Sequence, residues 1–172
     1  MAVHINIFGS PGSGKSTMRS RLFYELKKKQ LIVEEVVEYA KELTYNERYL
    51  ELTDQIKVFG IQHHPHFVLD KKVDFVITDS PFVMGFTYIQ KNTGYYEELK
   101  QLMVTAHNSY NNMNYFLVRN HEYQEFGRNE SEEESDKKSL EVQEFLRENN
   151  IPFKIVRSGE EFIQMVMKDL YK

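Results

Sequence analysis

Residues 9–16 read Gly-Ser-Pro-Gly-Ser-Gly-Lys-Ser and constrain this chain more than any other stretch. Gly9, Gly14, Lys15 and Ser16 complete the pattern G-x-x-x-x-G-K-[ST]. That spacing has a chemical reason. Glycines let the backbone turn successive N–H groups onto a phosphate, and the N-terminus of a following helix adds positive potential. Ser10, Pro11, Gly12, Ser13 and Thr17 belong to the same loop and its exit. Lys15 brings a cation to the phosphate oxygens, and Ser16 brings a hydroxyl for magnesium. The pattern works only between a strand and a helix, and the flanking residues supply both. Val3, Ile5 and Ile7 alternate ahead of Phe8, as in a buried strand. Met18, Leu22 and Leu26 recur at helical spacing behind the loop, with Lys27, Lys28 and Lys29 at the favourable end of the helix dipole.

Three further runs read as strands: 72–79, 115–118 and 153–156. Helical periodicity separates them over 46–70, 84–110, 132–149 and 159–171. Within 31–43 the pattern predicts a strand to about Val37 and then a helix, and a single helix fits the same residues nearly as well. Ser158-Gly-Glu-Glu161 and Ser131 to Glu134 both have the form of a capping box. Strands alternating with helices imply an α/β fold with a mostly parallel sheet covered on both faces. The chain of 172 residues has the size of one domain, spanning 1–172.

Composition excludes several classes. No apolar run approaches the roughly 20 residues needed to cross a bilayer, so no membrane role is expected. The segment Met1 to Phe8 has neither a charged leader nor a long apolar stretch and does not read as a signal peptide. Cysteine is absent, which removes disulfides, thiolate nucleophiles and cysteine zinc sites and fits a cytoplasmic setting. A net charge of -4 counts against non-specific nucleic-acid binding as the main task.

In such folds ligands bind beyond the carboxyl ends of the strands. Asp79 falls there, placed to hold magnesium through water while Ser16 ligates it directly; the other reading of Asp79-Ser80-Pro81 is a plain turn. Glu38 stands at the end of the second strand, where a carboxylate accepts a proton from an attacking hydroxyl, or else on a solvated helix. A polar segment at 119–135 has the composition of a lid. Its Arg119 and Arg128 suit the γ-phosphate, where a cation neutralises charge that spreads in the transition state. In His63-His64-Pro65-His66 the proline interrupts helical spacing and no cysteine or nearby acidic pair completes a ligand set before Asp70, which favours substrate contact or plain surface over a metal. Phe82, Phe86, Tyr88, Tyr95 and Tyr96 are either core and rim residues or a platform for a base.

Taken together, the glycine loop, Glu38-Tyr-Ala-Lys41, Val76-Ile-Thr-Asp79-Ser-Pro81 and Arg119…Gly127-Arg128 resemble the small P-loop kinases. Within them the chain is similar to the ribosylnicotinamide-kinase-like group and to small ATP-binding proteins carried by bacteriophages. The resemblance implies a three-layer P-loop NTPase fold with about five strands, the cofactors ATP and Mg2+, and phosphoryl transfer to a hydroxyl or phosphate of a nucleoside, nucleotide or related small acceptor. It places Lys15 and Ser16 on phosphates and metal, Glu38 and Asp79 toward acceptor and magnesium, and Arg128 in the lid. Two other expectations stand beside it: a kinase acting on a hydroxymethylated base or an end in DNA, and a nucleotide-dependent switch or assembly ATPase.

Overall fold

Residues 1–120, 123 and 131–171 are described by the computed structural model. The strands are β1 (Val3–Phe8), β2 (Val33–Val36), β3 (Phe75–Thr78), β4 (Asn111–Val118) and β5 (Lys154–Arg157). All pairings among them are parallel, in the order β2-β3-β1-β4-β5. The helices are α1 (Lys15–Lys28), α2 (Tyr39–Tyr45), α3 (Tyr49–Thr53), α4 (Gln55–Leu69), α5 (Tyr96–Asn108), α6 (Glu132–Glu148) and α7 (Glu160–Leu170), with a 3-10 helix at Phe82–Tyr88. No helix among the described residues is long and apolar enough to cross a membrane.

β1 is the central strand, and its alternation divides the core in two. Ile5 and Ile7 join Met18, Leu22 and Leu26 of α1, Tyr115 and Leu117 of β4, and Phe162 and Val166 of α7. Phe8 points to the opposite face with Phe116, Phe82, Met103, Phe145 and Leu146. Burying apolar surface on both faces of one sheet is the dominant stabilising contribution in such a layered fold. It also leaves the loop after Phe8 at the centre of the sheet's carboxyl edge, flanked by the ends of β3 and β4.

Several boundaries depart from the sequence expectations. The ambiguous segment resolves as strand then helix, because Val33 and Val36 pack into the core while Glu38 ends the extended run with ψ 113. The helix expected over 46–70 is broken: Glu47 takes a φ of 55, and α3 and α4 begin afresh beyond it. Asp54 then starts α4 by accepting a hydrogen bond from the Lys57 amide at 3.2 Å. Pro65 does not interrupt helicity; α4 continues through it with Val58, Gln62 and His66 buried along one face. Packing of that face offsets the single hydrogen bond a proline removes. The helix expected over 84–110 is reduced to the 3-10 helix and α5, with Ile89 extended between them.

β4 begins earlier than 115 because half-buried Asn112 and buried Asn114 find partners within the fold. The Asn6 amide on β1 donates to their side-chain oxygens at 2.8 and 3.0 Å. The capping box of α6 is present, with the Glu134 amide donating to Ser131 Oγ and the Ser131 amide donating to Glu134 Oε2. The one expected at Ser158 is not: Gly159 caps α7 with no side-chain bond, and the Ser158 carbonyl accepts from Asn120.

Candidate active site

The glycine loop has the form the motif requires. Gly9 leaves β1 with a φ of 146, and a Cβ there would lie 2.6 Å from Ser13 Oγ and 2.9 Å from the Leu117 carbonyl. Only glycine fits so close an approach in that conformation. Gly14 caps α1 in the left-handed region, so the first amides of the helix open toward the loop. Lys15 Nζ donates to the Gly9 and Ser10 carbonyls at 2.9 and 2.8 Å, which holds the ammonium over the loop. From the other side, Ser135 on α6 donates to the Pro11 carbonyl at 2.7 Å, a brace between segments 124 residues apart that no local pattern announces.

The loop forms one wall of a cavity of about 560 Å³. Gly9, Ser10, Pro11, Gly12, Gly14, Lys15, Ser16 and Thr17 line it, and so do Glu38 and Asp79. Ser13 does not; it is fully buried, and its hydroxyl has no hydrogen-bond partner among the described residues. The opposite wall is built by Lys41, Tyr45, Phe59, Phe82, Tyr88 and Lys138 among others. Two rim lysines lie over tyrosine rings: Lys41 over Tyr45 at 5.8 Å and Lys138 over Tyr88 at 4.8 Å. Of the aromatic group read from the sequence, Phe82 and Phe86 are buried in the core, while Tyr88 is half-exposed at the rim.

Parallel pairing explains why Glu38 and Asp79 meet. Val36 lies opposite Thr78, so the chain leaves β2 and β3 side by side. A buried residue the sequence reading missed, Gln62 on α4, ties these exits together. Its Oε1 accepts from the Tyr39 amide at 2.8 Å, and its Nε2 donates to the Val37 and Ser80 carbonyls at 3.0 and 3.3 Å. The peptides on both sides of Glu38 and the turn after Asp79 therefore hang on one amide. A polar residue on the buried face of α4, between Val58 and His66, is the only sequence signal of it. Gln62→Leu should cost on the order of 2 kcal/mol, because truncation leaves buried backbone groups unpaired. Urea unfolding checks this, and a wild-type midpoint would refute it.

Asp79 is almost fully buried, and Arg19 of α1 donates to its Oδ1 at 2.7 Å. Arg19 also holds Glu35. Arg19 was a second residue missed, since its partners come from strands distant in sequence. Arg119 is placed differently from the expectation. Its Nη2 pairs with Glu132 and Asp136 in the first turns of α6, and its guanidinium lies over Tyr123, so it does not line the cavity. Gly127 and Arg128 of the expected lid lie outside the described residues. The structure places His66 in the core against His4, and His63 half-buried with its ring bonded to the Tyr110 hydroxyl.

Among the described residues no three histidine or acidic side chains converge as a metal site. The oxygen donors present, the Ser16 hydroxyl and the second oxygen of Asp79, fit magnesium. That ion is usually held by one or two protein oxygens together with phosphates and water.

Residues 4–161 match the model of a family described as an AAA domain. Among solved structures, the thymidylate kinase of Ehrlichia chaffeensis is similar with a TM-score of 0.57 and 15% identity over 100% of both chains. The deoxyadenosine kinase of M. mycoides, solved with dCMP and dCDP, is similar with a TM-score of 0.57 and 16% identity over 98% of each chain. No curated protein matches the sequence. The structural likeness is one of fold, the five-stranded parallel α/β architecture of small P-loop kinases. With its glycine loop at the carboxyl edge of the central strand and a family match over most of its length, this chain belongs to the AAA domain family.

Proposed function

We propose that this protein transfers the γ-phosphoryl group of ATP to a hydroxyl or phosphate of a nucleoside, nucleotide or related small acceptor. The observation that carries this reading is the shared cavity, which brings the glycine loop, Glu38 and Asp79 to one space large enough for an acceptor beside a triphosphate. Amides of residues 9–16 and the Lys15 ammonium bind and orient the phosphates, and Lys15 stabilises charge moving onto the leaving oxygen. Ser16 and Asp79 would hold Mg2+, which neutralises phosphate charge when bound. Glu38, next to the loop on the acceptor side, accepts the proton of the attacking hydroxyl. The walls of Phe59, Phe82 and Tyr88 suit a flat ring, in keeping with the thymidylate and deoxyadenosine kinases that share the fold. Arg128 retains the lid role that the family resemblance implies.

Turnover of ATP measured with and without a panel of nucleosides and nucleotides tests the proposal. A kinase accelerates with one acceptor and yields its phosphorylated product, whereas a switch ATPase hydrolyses at the same rate throughout. In the same assay Glu38→Gln should lower kcat about a hundredfold with the KM for ATP unchanged, because a general base acts on the acceptor alone. Wild-type kcat at saturating acceptor would remove Glu38 from the mechanism.

A further inference from the structure

Arg19 stands one helical turn beyond Lys15 on α1, and nothing in the glycine-loop pattern calls for it. Its Nε donates to Glu35 Oε1 at 2.9 Å and its Nη1 donates to Asp79 Oδ1 at 2.7 Å, so one guanidinium spans the ends of β2 and β3. The side chains of Arg19 and Asp79 are 16% and 4% exposed, which puts the pair largely out of water beside the glycine loop. Two consequences follow from that geometry. With Oδ1 committed to a rigid planar donor, the Asp79 carboxylate cannot turn, and its second oxygen is offered in one direction. The carboxylate also shares its charge with a cation already in contact, so it attracts a second cation less than a lone carboxylate does.

We propose that Arg19 is a positioning residue that aims Asp79 at the metal of a bound nucleotide while weakening the grip of Asp79 on that metal. The proposal rests on the reading above that this cavity binds a magnesium nucleotide. Orientation and affinity are set against each other in the one ion pair. Glu35 belongs to the device, because it draws part of the Arg19 charge away from Asp79.

Calorimetric titration of Mg2+ into the protein–ADP complex, alongside kcat at saturating Mg2+, tests this on Arg19→Gln, Arg19→Lys and Glu35→Gln. In Arg19→Gln the metal should bind about tenfold more tightly, because a neighbouring cation is removed, while kcat falls about tenfold as the carboxylate loses its aim. Arg19→Lys keeps the charge without the fork. It should leave metal affinity near wild type and lower kcat only. Glu35→Gln leaves Arg19 to Asp79 alone and should weaken metal binding several-fold. Affinity and rate moving in opposite directions is not what a merely structural role produces, since disorder weakens both. Unchanged or weaker metal binding in Arg19→Gln overturns the proposal, as does a wild-type complex that binds no Mg2+. If Arg19→Gln does not fold, Glu35→Gln decides, and unchanged metal affinity in it overturns the proposal as well. Normal metal titrations without phosphoryl transfer to any acceptor would instead remove the kinase reading and leave this comparison standing.

Discussion

Lys15→Ala should remove about a hundredfold to a thousandfold of the proposed phosphoryl transfer while the protein stays folded. The wild-type ammonium sits over the glycine loop on the Gly9 and Ser10 carbonyls, at the cavity wall rather than in the core. Those carbonyls border the cavity, where water replaces the lost donor, so the melting temperature should move by only a few degrees. In the proposed transfer the same ammonium would have no substitute at the transition state. Removing one preorganised charge contact from such a site commonly costs on the order of 3–4 kcal/mol. Thermal melting and single-turnover transfer measured on one preparation separate the two effects. Transfer at the wild-type rate would end the assignment of residues 9–16 as the phosphate site.

Acid should unfold this protein well above the range where carboxylates titrate. The cause lies in the core beneath Phe82 of the cavity lining. His4 on β1 and His66 on α4 face each other, Nδ1 to Nδ1, at 3.0 Å, and His4 Nε2 bonds Asp70 Oδ1 at 3.2 Å. If His4 donates to the aspartate, its Nδ1 must accept from His66. His66 Nε2 then points a bare lone pair into the core, with no partner among the described residues. The rings of Phe82 and Tyr110 pack against this pair, with His63 and His107 close by. Burial, reinforced by the neighbouring histidines, pushes His66 down to about 3, and burial pushes His107 down to about 4. Burial also lowers His4, against the pull of Asp70, and it lowers His63.

His66 and His107 are neutral in the folded state and take up protons in the unfolded chain near the ordinary value of 6.5. Their contribution is therefore complete above that value and is lost as pH falls below it. Each buried imidazole removes about 1.4 kcal/mol per pH unit. His66 and His107 together withdraw on the order of 4 kcal/mol by about pH 5, a large part of the roughly 5–15 kcal/mol that holds a domain folded. Denaturant midpoints between neutral pH and about pH 5 give the slope, and His66→Gln should make it shallower. A flat profile in the wild type would contradict the buried neutral cluster.

How much of this was legible depends on where each signal lies along the chain. The glycine loop, its strand and its helix are contiguous, and local chemistry specifies them: glycine at Gly9 and Gly14 for backbone shape, alternation in β1, a helical stripe in α1. Asp79 was also legible as the residue that follows a short apolar run, and Glu38 as one of two readings of an ambiguous segment, because parallel strands in an α/β fold all deliver their ends to one edge. Polar strand positions misled. Asn112 and Asn114 break the apolar run ahead of Tyr115, yet both accept from the Asn6 side chain on the neighbouring strand, so β4 starts earlier than the run 115–118 predicts. Proline in α4 misled in the opposite way, since local propensity yields to a well-packed face.

By itself, then, the sequence determined a glycine loop between a buried strand and a helix, and the α/β class that follows from the alternation of elements. Those depend on interactions among near neighbours, where residue type and spacing are sufficient. Tertiary structure alone decided the partners. Arg19 reaches Asp79 across 60 residues, Gln62 binds the chain on both sides of Glu38, Ser135 braces Pro11 from 124 residues away, and His66 meets His4 in the core. Each of these contacts joins residues whose separation along the chain carries no periodicity. Only the packing of α1, α4 and α6 against the sheet brings their polar atoms within bonding distance.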